Sequence, residues 1–287
     1  MQTHWEKVIS ESKLVTIPEV YLKLQQLLSS NNFSMAEIAE VICYDPAITA
    51  RLLRIVNSSF FGLAAKIETV SRAINYLGTQ QVHDLVLTTS IAQNFSDIDN
   101  DAFNLHEFWQ RSVFCAIAAR EIAIHCNVLD SERLFVTGLL SDIGHLLMYQ
   151  AIPEITLQAR VEAEVSHSPL HLTEQRLIGF DYTLAGSAML QHWNLPESLT
   201  DAIKYQFSPT NTTHYQLETV ILHMASALAD GFEKNIPVAT TLGQVNKSVM
   251  NITNLSVEDT AVIDRNSRKS LDMVFLLLFP QLNAAYL

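Results

Sequence analysis

Apolar residues along this chain recur at helical rather than strand spacing. After Asp45-Pro46, the residues Ile48, Leu52, Ile55 and Val56 stand at i, i+4, i+7 and i+8 and line one helix face. The punctuation around such runs is helical as well. Ser34 and Glu37 have capping-box spacing, in which each side chain satisfies a free amide at the helix start. Asp45 places a good N-cap before a proline at the first helical position. Asn104 with Glu107, and Ser256 with Asp259, repeat the start signal, and Ser168-Pro169 and Leu195-Pro196 predict further starts. Gly78, Gly179 and Gly231 follow periodic runs and predict C-terminal stops. The Asp-Gly at 230–231 ends a helical run rather than joining two strands. Roughly a dozen helices are predicted, and the fold class is all-α.

A boundary is expected in the polar, turn-forming stretch Asn94 to Asn104. It divides an N-terminal helical subdomain, 1–95, from a larger helical body, 96–287. Residues 208–214 and Asn246 to Asp259 are read as loops, the second preceding an apolar C-terminal helix. No internal repeat or low-complexity segment is present.

Composition narrows the class. Of 287 residues, 48% are hydrophobic and 17% charged, which argues for a folded chain and against disorder. The net charge of −12 repels phosphate backbones, and the 18 Lys and Arg are scattered, Arg265 to Lys269 being their closest grouping. Nucleic-acid binding is therefore not expected. Cys43, Cys115 and Cys126 lack Cys-x-x-Cys spacing and read as small buried hydrophobes, reduced in a cytoplasmic protein. No signal peptide is apparent, and the longest apolar run, Met273 to Phe279, is too short to span a bilayer, so no membrane insertion is expected.

Motifs in linked order carry a family resemblance. Ile17-Pro18-Glu19-Val20 opens the first helix, and Asp45-Pro46-Ala47-Ile48 leads to Arg51-Leu52-Leu53-Arg54. Val56-Asn57-Ser58, Phe60-Phe61-Gly62, Ala73-Ile74 and Leu77-Gly78 follow. The second half adds Phe108-Trp109, Gly138-Leu-Leu-Ser-Asp-Ile-Gly-His145 and Trp193-Asn194-Leu195-Pro196. From about residue 14 to 207 the chain resembles the HDOD family, helical output domains related to the HD phosphohydrolases and found in bacterial signalling proteins. The resemblance implies an HD-like helical bundle. Asp45, Pro46, Asn57, Ser58, Gly62 and Gly78 belong to the family signature and are expected to be structural. Asn57 and Ser58 in particular are placed to satisfy helix-end carbonyls. Phe60 and Phe61 read equally as core or interface.

The same resemblance implies a metal pocket that has degenerated. A first histidine ligand is expected shortly after Trp109, where Arg111 stands. The His-Asp pair of the superfamily is here Ser141-Asp142. The further histidines of the cyclic-di-GMP phosphodiesterase branch correspond to Asp181-Tyr182 and Tyr205-Gln206-Phe207. A final aspartate ligand falls at Ser226. The pocket is thus assigned to Arg111, Ser141, Asp142, His145, Tyr182 and Ser226, of which Asp142 alone is a surviving ligand. One carboxylate does not hold a catalytic metal, because affinity depends on ligand number and geometry. An Arg111–Asp142 ion pair is expected to fill the vacancy. The alternative has Asp142 bonding locally and Arg111 on a solvated face.

Other chemistry is thin. His167 and His171 are four apart, but Ser168-Pro169 starts a helix between them, and a surface pair is the simpler reading. His145 and His223 read as hydrogen-bonded core or cleft residues. No nucleophile elbow, phosphate-cradling loop or dinucleotide-binding glycine pattern occurs, and Ser141 has no neighbouring base. The resemblance therefore implies a non-enzymatic signal-transduction module that binds signalling proteins and needs no metal or cofactor. Without a receiver, GGDEF or kinase segment it is expected to act as a standalone adaptor, and whether it forms a homo-oligomer stays open. The second reading is a divergent metal-dependent phosphohydrolase acting on a nucleotide or cyclic dinucleotide. It requires Asp142 and His145, with His223 or His192, to rebuild a site.

Overall fold

The computed structural model describes residues 19–30, 33–60, 62–63, 65–94, 103–212, 214–243, 245 and 247–283. Ile17 and Pro18 of the opening motif, Phe61, and residues 95–102 of the expected boundary lie outside them. The all-α class holds: the chain is 76% helical with no strand among the described residues.

The described residues fall into two compact units, one drawn from Ile17–Ser96 and Arg268–Leu287, the other from Asp97–Ser267. In the first, α1 (Glu19–Ser29), α2 (Met35–Cys43), α3 (Pro46–Val56), α4 (Val70–Leu77) and α5 (Thr79–Asn94) follow one another. Tyr21, Leu24, Ile38, Ile42, Val56 and Ile74 are fully buried at its centre. The start signals act as their chemistry demands. Ser34 and Glu37 form both halves of a capping box, and Asp45 Oδ1 accepts from the amides of Ala47 and Ile48. Asn57 closes the turn after α3. Its amide donates to the carbonyls of Leu53 (2.8 Å) and Ile67 (2.6 Å), and its carbonyl oxygen accepts from Ile67 N–H at 2.7 Å. Ser58 Oγ donates to Ile55 O, taking up another helix-end carbonyl. Gly62 and Gly78 both have positive φ, which explains glycine at these turns.

The second unit contains α6 (Leu105–His125), α7 (Ser131–Leu140), α8 (Ile143–Ala151), α9 (Pro153–Ser166), α10 (Leu170–Ile178), α11 (Tyr182–His192), α12 (Glu197–Lys204), α13 (Gln216–Glu233), α14 (Val238–Leu242) and α15 (Lys247–Thr253). Last come α16 (Val257–Leu278), whose residues from Arg268 count with the first unit, and α17 (Pro280–Asn283). Helix α6 is buried on nearly every face, which is why its sequence lacks a clean polar stripe. It packs on α7 and α13, while α8 packs on α11. Two glycines let backbones approach. A Cβ on Gly138 would lie 2.8 Å from Ala116 Cα, and one on Gly144 would lie 1.9 Å from Tyr182 O. These close crossings pin the α7–α8 junction against α6 and α11.

Two local expectations change. Gly231 does not stop a helix: α13 continues to Glu233, and a Cβ at Gly231 would meet Thr241 Oγ1 at 2.6 Å, so the residue serves packing. The stretch read as a loop from Asn246 contains α15, held by the burial of Val249 and Thr253, before the Ser256–Asp259 capping box starts α16. Among the described residues no helix is long and apolar enough to cross a membrane.

Candidate functional site

Ser141 and Asp142 do not sit within a helix; they form the break between α7 and α8. Ser141 Oγ donates to Gly138 O at 2.8 Å, satisfying a carbonyl at the end of α7. Asp142 makes no capping hydrogen bond. Its carboxylate instead faces α6, where Arg111 Nη1 donates to Asp142 Oδ2. The expected ion pair is thus present, and local bonding of Asp142 is not its role.

The guanidinium has further partners. Arg111 Nη2 donates to Asp230 Oδ1 at 2.5 Å, and Nε lies 3.3 Å from Glu233 Oε2, both on the last turn of α13. Three carboxylates therefore surround one arginine. The side chains of Arg111 and Asp142 are 12% and 3% exposed, while Asp230 and Glu233, at 45% and 43%, open the cluster to solvent. Burial alone would oppose the arginine's charge, but the neighbouring carboxylates, Asp230 first and then Glu233, outweigh it and hold the guanidinium ionised.

Ser226, placed by the resemblance at the last ligand position, lies one turn before Asp230 on α13. Its Oγ donates to Gln206 Oε1 at 3.2 Å, and Gln206 Nε2 donates to Ser141 O at 3.2 Å. His223 Nδ1 lies 2.6 Å from Gln206 O. The fully buried Gln206 thus ties Ser141, Ser226 and His223 together.

A second cluster lies beside the first. The His145 ring stacks on Tyr182 at 3.8 Å, and its Nδ1 is 3.5 Å from Oε1 of the fully buried Glu174. Tyr182 meets the edge of Phe207, and Phe207 stacks on His171 at 3.9 Å. Burial, reinforced by Arg111 and Arg160, pushes the His145 imidazole down to about 3. Burial pushes the Glu174 carboxyl up to about 8, against the Tyr182 N–H that donates to its Oε2. Burial therefore favours the uncharged form of both groups. Burial likewise raises the Cys115 thiol to about 11, next to Ser141.

As arranged, these donors do not fit a divalent cation. The arginine holds the centre of the carboxylate cluster, His145 faces Glu174, and His223 faces Gln206. His192 is exposed at the end of α11. Among the described residues no group of three or more His, Cys, Asp or Glu is arranged to hold a metal. His167 ends α9 in a left-handed conformation, and the His171 ring stacks on Phe207. Sequence reasoning missed Asp230, Glu233 and Glu174. The i, i+4 step from Ser226 to Asp230 was the available signal for the first; nothing local marks Glu174 as buried.

Comparison with known proteins agrees with this architecture. The family model described as the HDOD domain matches residues 14–209. A crystal structure of an HDOD domain protein with unknown function from Geobacter sulfurreducens superposes with a TM-score of 0.71 at 21% identity, covering 98% of this chain and 97% of that one. A Shewanella amazonensis protein, provisionally named a phosphohydrolase, gives 0.68 at 22% identity over 91% of this chain and 95% of that one. A Marinobacter aquaeolei protein, provisionally named a signal transduction protein, gives 0.70 at 20% identity over 96% of this chain and 64% of that one. A curated Treponema pallidum protein, uncharacterized, is 22% identical over 84% of this chain, which spans about half of that relative (46%). The chain belongs to the HDOD domain family.

Proposed function

We propose that this HDOD domain protein is a non-enzymatic, cytoplasmic signal-transduction module that works by binding other proteins, its ancestral metal pocket converted to a structural joint. One observation supports this above the others: the Arg111 guanidinium stands among Asp142, Asp230 and Glu233, supplying internally the positive charge that a metal would otherwise bring to those carboxylates. A cation entering the cluster would meet a fixed positive charge and would have to displace hydrogen bonds to a buried arginine. Water activation, which in metal-dependent hydrolysis rests on a bound cation, then has no provider among these residues. His145 faces Glu174 and stacks on Tyr182, outside the carboxylates that surround Arg111. The Gln206 hydrogen bonds make the same region a packed junction of the α7–α8 break, the segment after α12, and α13.

The experiment is hydrolysis of a cyclic dinucleotide and of simple nucleotides by the purified full chain, with Mn²⁺, Mg²⁺, Fe²⁺ or Ni²⁺ added. Turnover indistinguishable from buffer is expected with every metal. Turnover that needs metal and disappears in Asp142→Asn would establish the phosphohydrolase reading instead.

A further inference from the structure

Helix α9 presents a ridge that neither the core nor the Arg111 cluster uses. Thr156, Ala159 and Ala163 anchor the helix on one side. On the other, Leu157, Val161 and Val165 recur every fourth residue and are 37%, 52% and 78% exposed. Single exposed apolar residues are ordinary, but three aligned on one face form a continuous patch. Valine is a poor helix former, so two of them on a solvated helix face are not explained by local propensity.

The charged residues within the ridge's own arc are acidic. Exposed Glu154, Gln158 and Glu164 flank it, and at about 100° per residue these and the three apolar positions share an arc of about 120° that contains no lysine or arginine. Glu154 has no ion pair among the described residues. Glu164 is met only by Arg160 of its own helix, at 3.4 Å. Glu162, beside the arc, is engaged by Arg176 of α10. Two copies meeting through this ridge would bring two acidic rims together in chains of net charge −12. A second copy is therefore a poor occupant, and a basic surface a good one.

We infer that the α9 ridge docks an amphipathic helix of a partner protein, one whose apolar i, i+4 side chains are flanked by lysine or arginine. The inference rests on the reading of this protein as an interaction module and names the surface that would serve it. The partner's apolar side chains would pack along Leu157, Val161 and Val165 while its cations meet Glu154 and Glu164. The patch is small and its rim wet, so the contact belongs to the transient class, with salt-sensitive association.

The test is fluorescence anisotropy of the full chain with two labelled helical peptides, each with leucine at every fourth position, one flanked by lysines and the other by glutamates. The lysine peptide should bind at least about tenfold tighter than the glutamate peptide, and weaken severalfold as salt is raised. Val161→Glu and Val165→Glu, each at an exposed position, should each weaken it about tenfold. Glu154→Lys combined with Glu164→Lys should reverse the preference. Equal affinity for the two peptides, or affinity untouched by both valine substitutions, would overturn the inference. So would self-association of the free chain that Val161→Glu abolishes, since a second copy would then be the occupant. Metal-dependent hydrolysis is measured on the same preparations. Hydrolysis lost in Asp142→Asn but kept in Val161→Glu would overturn the non-enzymatic reading without touching the peptide result. Absent charge-selective binding would overturn the α9 inference alone.

Discussion

Replacing Arg111 with methionine keeps most of the apolar stem and removes the charge that three carboxylates share. The consequences differ among those carboxylates. Asp230 and Glu233 are nearly half exposed and return to water at little cost. Asp142, whose side chain is 3% exposed, cannot, and its Oδ1 already lacks a hydrogen-bond partner among the described residues. Removing one member of a buried pair costs about 3–5 kcal/mol, because the other is left charged and dry. At about 2–4 °C per kcal/mol, the melting temperature should fall by roughly 6–20 °C. Asp142→Asn should cost less, about 1–2 kcal/mol, because the guanidinium keeps Asp230 and Glu233. The double variant should be more stable than Arg111→Met alone, with a coupling of about 2 kcal/mol or more. Urea unfolding followed by far-UV circular dichroism gives all four corners of this cycle. An Arg111→Met variant within about 0.5 kcal/mol of wild type, or strictly additive substitutions, would refute the buried-pair reasoning.

Other positions give independent checks. The Glu174 carboxyl is raised by burial to about 8 from 4.5, so the stability tied to its neutral form is complete below about 4.5 and is lost as pH rises toward about 8. Glu174→Gln should remove this loss, its advantage over wild type growing across that window; parallel melting curves at all pH values would contradict it. Gly144→Ala puts a Cβ 1.9 Å from Tyr182 O and should destabilise by about 3 kcal/mol or more; a cost below about 1 kcal/mol in the same unfolding assay would show that α8 and α11 separate easily. Asn57→Ala removes three hydrogen bonds to the backbone at Leu53 and Ile67 and should cost about 1–3 kcal/mol, read from denaturant midpoints; no measurable shift would mean the turn closes without them.

What could be read from the sequence followed the range of each interaction. Capping at Ser34, Asp45, Asn104 and Ser256 involves partners two or three residues away, so spacing alone reveals it. The all-α class follows from many such local signals agreeing. Arg111 and Asp142 are 31 residues apart, and only the family resemblance, by setting both in one pocket, made their pairing legible. Asp230 is 119 residues from Arg111, and the adjoining glycine imitates a helix stop, which concealed the last turn of α13. Glu174 lies in Leu-Thr-Glu-Gln-Arg, which reads as a solvated helix face; its burial follows from the approach of Tyr182. The helix at Lys247–Thr253 was obscured because polar residues dominate it and only its tertiary setting buries Val249.

Direct titration of Mn²⁺ into the metal-stripped full chain tests most plainly the proposal that Arg111 stands where a metal would bind. No saturable heat corresponding to a dissociation constant below about 1 mM is expected. A stoichiometric site of micromolar affinity in the wild-type chain, lost in Asp142→Asn, would contradict it.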